Sequence, residues 1–240
     1  MKTDAEILEE HRKKYLIRYK NGQLVFISLF TSVLALFIII ISFVDLEEKD
    51  ADLAYQKLVG SVYRDVIQYK NENNLYWLTV ENTVTKGVRL TFSTELLARE
   101  KLFSSARAKI NPSFLPYLNK LVALIKSLDL ETFPLRKEKM AAKILQADQQ
   151  MIMTVMVEGH TDSYKLAKTA LYQSNLELSS FRAYALMNFI KLYSSLPAKH
   201  FSVAGYGTFK PISKEAKDAI NRRVEIYIVP HILKKNSHVL

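Results

Sequence analysis

Met151-Ile152-Met153-Thr154-Val155-Met156-Val157 runs directly into Glu158-Gly159-His160-Thr161-Asp162. The first stretch is an unbroken apolar and β-branched run of strand length. The second breaks it with glycine and short polar side chains, the composition of a strand end passing into a loop. A buried strand that delivers Glu158, His160 and Asp162 to its C-terminal edge therefore organises the reading of the rest. Downstream, Asn175-Leu176-Glu177-Leu178-Ser179-Ser180-Phe181-Arg182-Ala183 opens a helix, predicted over residues 178–193, with Phe181, Ala185, Phe189 and Leu192 on one face. Strands follow at 201–205 and at 224–229 (VEIYIV), the latter entered through Asn221-Arg222-Arg223.

Upstream, residues 75–80 (LYWLTV) and 88–92 (VRLTF) have strand composition around a Lys86-Gly87 turn. Residues 112–128 are predicted helical, with Asn111 as N-cap, Pro112 in the first turn, and Leu115, Leu118, Leu121, Val122 and Ile125 as the apolar stripe. A further helix is expected within 137–149. In 53–66, Leu58, Val59, Val62 and Val66 share one helical face, marking either a linker helix or an amphipathic element that lies on a membrane or a partner. Strands alternating with helices predict an α+β fold, its helices packed on a mixed four-stranded sheet.

Leu24 to Val44 reads LVFISLFTSVLALFIIIISFV, without a charge, proline or glycine. At about 1.5 Å per residue such a run crosses a hydrocarbon core of roughly 30 Å. It exceeds a signal peptide's apolar region and lacks a small-residue cleavage site, so a retained single transmembrane helix is expected. Lys2, Arg12, Lys13, Lys14, Arg18 and Lys20 precede it; Asp45, Glu47, Glu48, Asp50 and Asp52 follow. Basic flanks stay cytoplasmic, which places the N-terminus inside and the remainder outside. The expected organisation is a cytoplasmic segment (1–23), the transmembrane helix (24–44), a linker with an amphipathic helix (45–74), the main domain (75–230) and a tail (231–240).

The chain has no cysteine, which removes disulfides, thiolate metal sites and thiol nucleophiles. Its formal charge of +10 is spread along the sequence without the aromatic-basic motif of a nucleic-acid reader, so an anionic lipid or wall polymer is the expected kind of partner. His160 lacks a second ligand at metal-site spacing, and no nucleophile triad, phosphate loop or glycosidase acid pair is evident. Neither enzyme activity, a metal nor a cofactor is expected.

Four ordered motifs carry a resemblance: Gly159-His160-Thr161-Asp162; N-x-x-LS-x-x-RA from Asn175 to Ala183; Gly205-Tyr206-Gly207 with Pro211; and Asn221-Arg222-Arg223-Val224-Glu225-Ile226. Together they resemble the peptidoglycan-binding domain of the OmpA-like family. The resemblance implies an OmpA-like periplasmic domain that holds the diaminopimelate of a stem peptide. Asp162 would pair with the ligand's ammonium and Arg182 would fork onto its carboxylate. Asn175 and Leu178 would line the pocket, Arg223 would assist, and the N–H groups near Leu178 and Ser179 would favour an anion.

Within that family the chain looks closest to the B subunit of flagellar stators (MotB- or PomB-like). The spacing from Asp162 to Arg182, and the segments Gly87-Val88-Arg89-Leu90 and Leu102-Phe103-Ser104-Ser105-Ala106, resemble that subfamily. So does the membrane segment, where Phe26, Ser28-Leu29-Phe30-Thr31, Phe37 and Ser42-Phe43 align without gaps. Residues 53–66 then occupy the place of the family's plug helix. The resemblance implies a homodimer in the bacterial inner membrane beside a multi-span A-type subunit. The family's ion-carrying aspartate falls on Ser28, whose hydroxyl does not titrate near neutral pH. Two other expectations stand beside a stator-like subunit: a passive membrane-to-wall tether, and a stator-derived part of another machine such as antiphage defence.

Overall fold

The structure, a computed structural model, describes residues 4–167, 169–215 and 217–235, without the side chains of 5–7, 10 and 43–50. Helix α1 runs from Asp4 to Glu72 and takes in the whole expected transmembrane segment. The chain divides within it into two compact units, Met1–Ala51 and Asp52–Leu240.

In the first unit, His11–Ser42 is long and apolar enough to cross a membrane. Its large apolar side chains, Phe26, Ile27, Leu29, Phe30 and Phe37 among them, are all exposed. The hydroxyls of Thr31 and Ser32 donate to the Ser28 carbonyl at 3.0 and 2.9 Å, so these polar groups are satisfied on the helix's own backbone.

The second unit is built on a mixed sheet. Its strands are β1 (Leu78–Asn82), β2 (Val88–Phe92), β3 (Gln149–His160), β4 (Phe201–Gly207) and β5 (Val224–Lys234). The order across the sheet is β1-β2-β5-β3-β4. Only β3 and β4 are parallel; they are joined by the crossover helix α6 (Asn175–Ser194). The sheet has five strands, not the expected four. The first hairpin delivers both its arms: β1 pairs with β2 from Leu78↔Phe92 to Asn82↔Val88 and forms one edge.

Between β2 and β3 lie α2 (Thr94–Arg99), a 3-10 turn (Pro112–Phe114), α3 (Leu115–Ser127), α4 (Phe133–Arg136) and α5 (Glu138–Ile144). The expected 112–128 helix thus begins as a 3-10 turn. Asn111 makes no capping bond; its side chain instead bonds Lys101 O and Ser104 Oγ, tying down the loop before the helix. The helix expected within 137–149 is shorter: α5 ends at Ile144, Leu145 takes extended backbone, and β3 begins at Gln149.

One buried cluster joins α3 (Leu118, Leu121, Leu124, Ile125), α6 (Ala183, Leu186, Ile190) and one face of the sheet (Leu90, Val155, Val157, Ile226, Ile228). The same cluster includes Leu58, Val59, Val62 and Val66, each fully buried. The apolar face read from residues 53–66 is therefore covered by the chain's own core. Leu130, Phe133 and Ala141 are buried in it too, so the 129–150 stretch contributes to packing.

Candidate functional site

The C-terminal ends of β3 and β4 meet the first turns of α6, and the approach is close because glycine permits it. A Cβ on Gly159 would stand 2.1 Å from the Ser179 carbonyl oxygen, and one on Gly205 would stand 2.6 Å from the Ser180 backbone nitrogen. Ser179 bridges the two elements: its hydroxyl donates to Leu176 O at 2.8 Å and accepts from Gly207 N–H at 2.8 Å. Ser174 caps α6 by accepting from Glu177 N–H at 3.1 Å, and the Glu177 carboxylate reaches back to Gln173 N–H at 2.6 Å. This variant of the capping box starts the helix three residues before the predicted start at Leu178.

Past the end of β3, Thr161 N–H donates to Gly207 O at 2.8 Å. Asp162 follows, 6% exposed. Its Oδ1 accepts from Tyr164 N–H at 3.2 Å, an Asx-turn that fixes the carboxylate. Its Oδ2 lies 2.6 Å from Arg222 Nη1. Asn175 pins the same turn from the helix side, its amide donating to Tyr164 O at 2.8 Å and Asp162 O at 3.3 Å. Arg182, two turns along α6, donates from Nε to Arg107 O at 3.0 Å and lies over the Phe103 ring at 5.4 Å. Burial lowers the Arg182 pKa, as does the neighbouring positive charge of Arg222, while Asp162 and Tyr172 oppose the shift. Asp162, Arg182 and Arg222 therefore share one electrostatic neighbourhood.

The structure thus brings together Asp162, Asn175 and Arg182 from the predicted set, and adds Arg222. Leu178 is 3% exposed, and its N–H is spent inside the helix on Ser174 O at 3.0 Å. Its side chain is therefore packed into the fold, and it offers no backbone donor to an anion. Arg223 faces away from Asp162. Its Nε lies 2.6 Å from Glu225 Oε1 and its Nη2 donates to Lys210 O at 3.2 Å. The reason is alternation: consecutive residues entering β5 point to opposite sides, so only one arginine of the pair can reach Asp162.

Arg223 belongs to a second group of charges, on the sheet face opposite the apolar core. Glu158 and Glu225 sit directly across from each other in the β3–β5 ladder, which would be repulsive if uncompensated. Lys86 Nζ lies 2.6 Å from Glu158 Oε1, Arg89 Nη1 lies 3.6 Å from Glu225 Oε1, and Tyr227 donates its hydroxyl to Glu225 Oε2 at 2.5 Å. Burial pushes the Glu225 pKa upward, but the hydrogen bonds from Tyr227 and Arg223 outweigh it and hold the carboxyl below its ordinary value. Burial and the bond to Glu225 raise the Tyr227 phenol. His160 lies in this group, stacked on Tyr206 at 5.4 Å and 3.9 Å from Glu225 Oε2. Burial, reinforced by Arg223, lowers its pKa to about 4.

Ligand atoms of Glu158, His160 and Glu225 lie within 4.8 Å of one another, close enough to hold a metal ion. The donor set does not fit one. Both carboxylates already neutralise Lys86 and Arg223, and a divalent cation would have to displace them.

Residues 134–225 match the OmpA family. Over 103 residues the chain is 37% identical to Motility protein B of Bacillus subtilis, covering 42% of this chain and 38% of that protein. Over 77 residues it is 40% identical to the uncharacterized protein YtxE of the same organism, covering 31% of each. The matches thus span little more than a third of these relatives at most. A putative MotB like protein from Desulfovibrio vulgaris shares the fold, with a TM-score of 0.53 at 17% identity over 75% of this chain and 99% of that one. Residues 134–225 are therefore OmpA-like, and part of the chain is similar in sequence to Motility protein B.

Proposed function

We propose that this chain anchors the bacterial inner membrane to the cell wall by binding peptidoglycan without turning it over. The observation that carries the reading is the convergence of one buried carboxylate, Asp162, with the guanidinium groups of Arg182 and Arg222 at the end of β3. A diaminopimelate side chain presents an ammonium beside a carboxylate. Its ammonium takes the Asp162 carboxylate, which now holds Arg222. Its carboxylate takes the forks of Arg182 and the released Arg222. The internal ion pair is exchanged for two pairs with the ligand, so no charge is left buried and alone. Asn175 holds the turn that aims Asp162, and Leu178 backs it. Full-length protein in detergent micelles should sediment with purified peptidoglycan, and Asp162→Ala and Arg182→Ala should each abolish this. Binding retained by both variants would sink the assignment.

The membrane arrangement supports a stator-like subunit. Residues 1–23 are cytoplasmic, 24–44 span the membrane once, and 45–74 link the helix to the periplasmic wall-binding domain at 75–230, with 231–240 as its tail. The burial of Leu58, Val59, Val62 and Val66 supports counting 54–66 with the domain it packs into. The chain works as a homodimer beside a multi-span A-type subunit, with Ser28 at that interface. Because Ser28 cannot exchange a proton as a membrane carboxylate does, ion coupling is altered or lost. A four-span protein that copurifies from membranes supports the stator-like reading over a passive tether. Proton conduction gained by Ser28→Asp with that partner would show that the pathway geometry persists, and no gain would favour the tether.

A further inference from the structure

The outer face of α6 carries large apolar side chains that the core does not use. Phe181, Tyr184 and Leu192 are 48%, 52% and 68% exposed. Phe181 and Tyr184, three residues apart, stand on one face of the helix. The Phe181 ring is held by Tyr172, centroid to centroid at 5.4 Å and tilted by 36°. Tyr172 in turn is close enough to Arg182 to act on its charge. Phe181 also directly precedes Arg182 on α6, so the aromatic pair lies beside the Asp162–Arg182–Arg222 cluster. Tyr172 also forms one wall of a cavity of about 440 Å³ whose lining includes Lys165, Gln173 and Asn175. The same Asn175 pins the Asp162 turn, so cavity, aromatic rings and charge cluster form one surface.

We propose that Tyr172, Phe181 and Tyr184 form a shelf that seats a pyranose ring of the glycan from which the stem peptide hangs. The proposal rests on the wall-binding reading above. A pyranose presents an apolar C–H face and a rim of hydroxyl and acetamido groups. An exposed aromatic pair beside polar donors matches that division: rings for the C–H face, Lys165 and Gln173 for the rim. A purely peptidic ligand gives these rings no apolar partner, because its recognised end is zwitterionic. A grip on both peptide and sugar fixes the wall polymer's direction across the domain, which charge contacts to the peptide end alone cannot do.

The test compares two ligands on full-length protein in detergent micelles: a sugar-free stem tripeptide ending in diaminopimelate, and the same tripeptide on its N-acetylglucosamine–N-acetylmuramic acid disaccharide. Wild type should bind the disaccharide form more tightly, by on the order of tenfold for one ring face covered. Phe181→Ala and Tyr184→Ala, both exposed positions, should erase that preference and leave tripeptide affinity unchanged. Phe181→Trp should preserve it. Equal binding of the two ligands by wild type, or variants that weaken both ligands alike, would overturn the shelf and leave the wall-binding reading standing. Failure of wild type to bind either ligand would overturn both.

Discussion

His160 makes the second unit acid-labile in a defined window. The ring is 2% exposed, and burial together with Arg223 lowers its pKa from 6.5 to about 4. An unfolded chain takes up a proton on this imidazole as pH falls below 6.5, whereas the folded chain resists until about 4. Between those values the unfolded state binds more protons, so stability falls with falling pH. Below the folded value the loss is complete. The full displacement is worth about 3 kcal/mol, and about 2 kcal/mol of it is lost between pH 7 and pH 5. Glu225 acts in the same direction, but its depressed pKa places its window below about 4.5, so the two separate. The assay is denaturant unfolding of the full chain in micelles, read by the fluorescence of Trp77, the chain's single tryptophan, which stacks on Phe92 in the second unit. In His160→Gln the fall in stability from pH 7 to pH 5 should shrink by that amount, whatever the variant's stability at pH 7. Parallel profiles for wild type and variant would refute the argument, because they would mean that the imidazole is protonated equally in both states.

The adjacent arginines should separate function from stability. Arg222→Ala should weaken peptidoglycan binding at least tenfold in sedimentation and cost less unfolding free energy than Arg223→Ala, since its side chain is 48% exposed against 11% for Arg223. Arg223→Ala strips Glu225 of a cation in a buried layer and should cost about 3–5 kcal/mol of unfolding free energy, read by the same Trp77 signal. Gly205→Ala drives a methyl group into the Ser180 backbone and should cost several kcal/mol or prevent folding, as circular dichroism would register. Leu58→Ala should destabilise the second unit by about 2–5 kcal/mol in urea unfolding if the 54–66 stretch is part of its core, and by nearly nothing if it is a loose linker.

Much of this architecture is legible because its elements repeat at a fixed period or run long. The apolar stripe of α3 and the unbroken run of β3 need no tertiary information. The start of α6 was legible as well, in Ser174-x-x-Glu177, although the apolar pattern that begins at Leu178 draws attention past it. The amphipathic face at Leu58, Val59, Val62 and Val66 is equally plain, but period alone identifies a face that must be covered and not what covers it. The charged residues divide in the same way. Asp162 and Arg182 are legible only through the resemblance; nothing in their spacing of twenty residues obliges them to meet. Choosing between Arg222 and Arg223 requires the register of β5. There alternation is masked, because Val224 through Ile228 are buried on both faces, the even positions by apolar packing, Glu225 by its ion pair with Arg223 and Tyr227 by its hydrogen bond to Glu225. Once Glu225 is seen directly across the ladder from Glu158, the division is forced. Two facing carboxylates need cations from their own side of the sheet, Arg223 supplies one of them, and Arg222, one residue earlier, is left to answer Asp162.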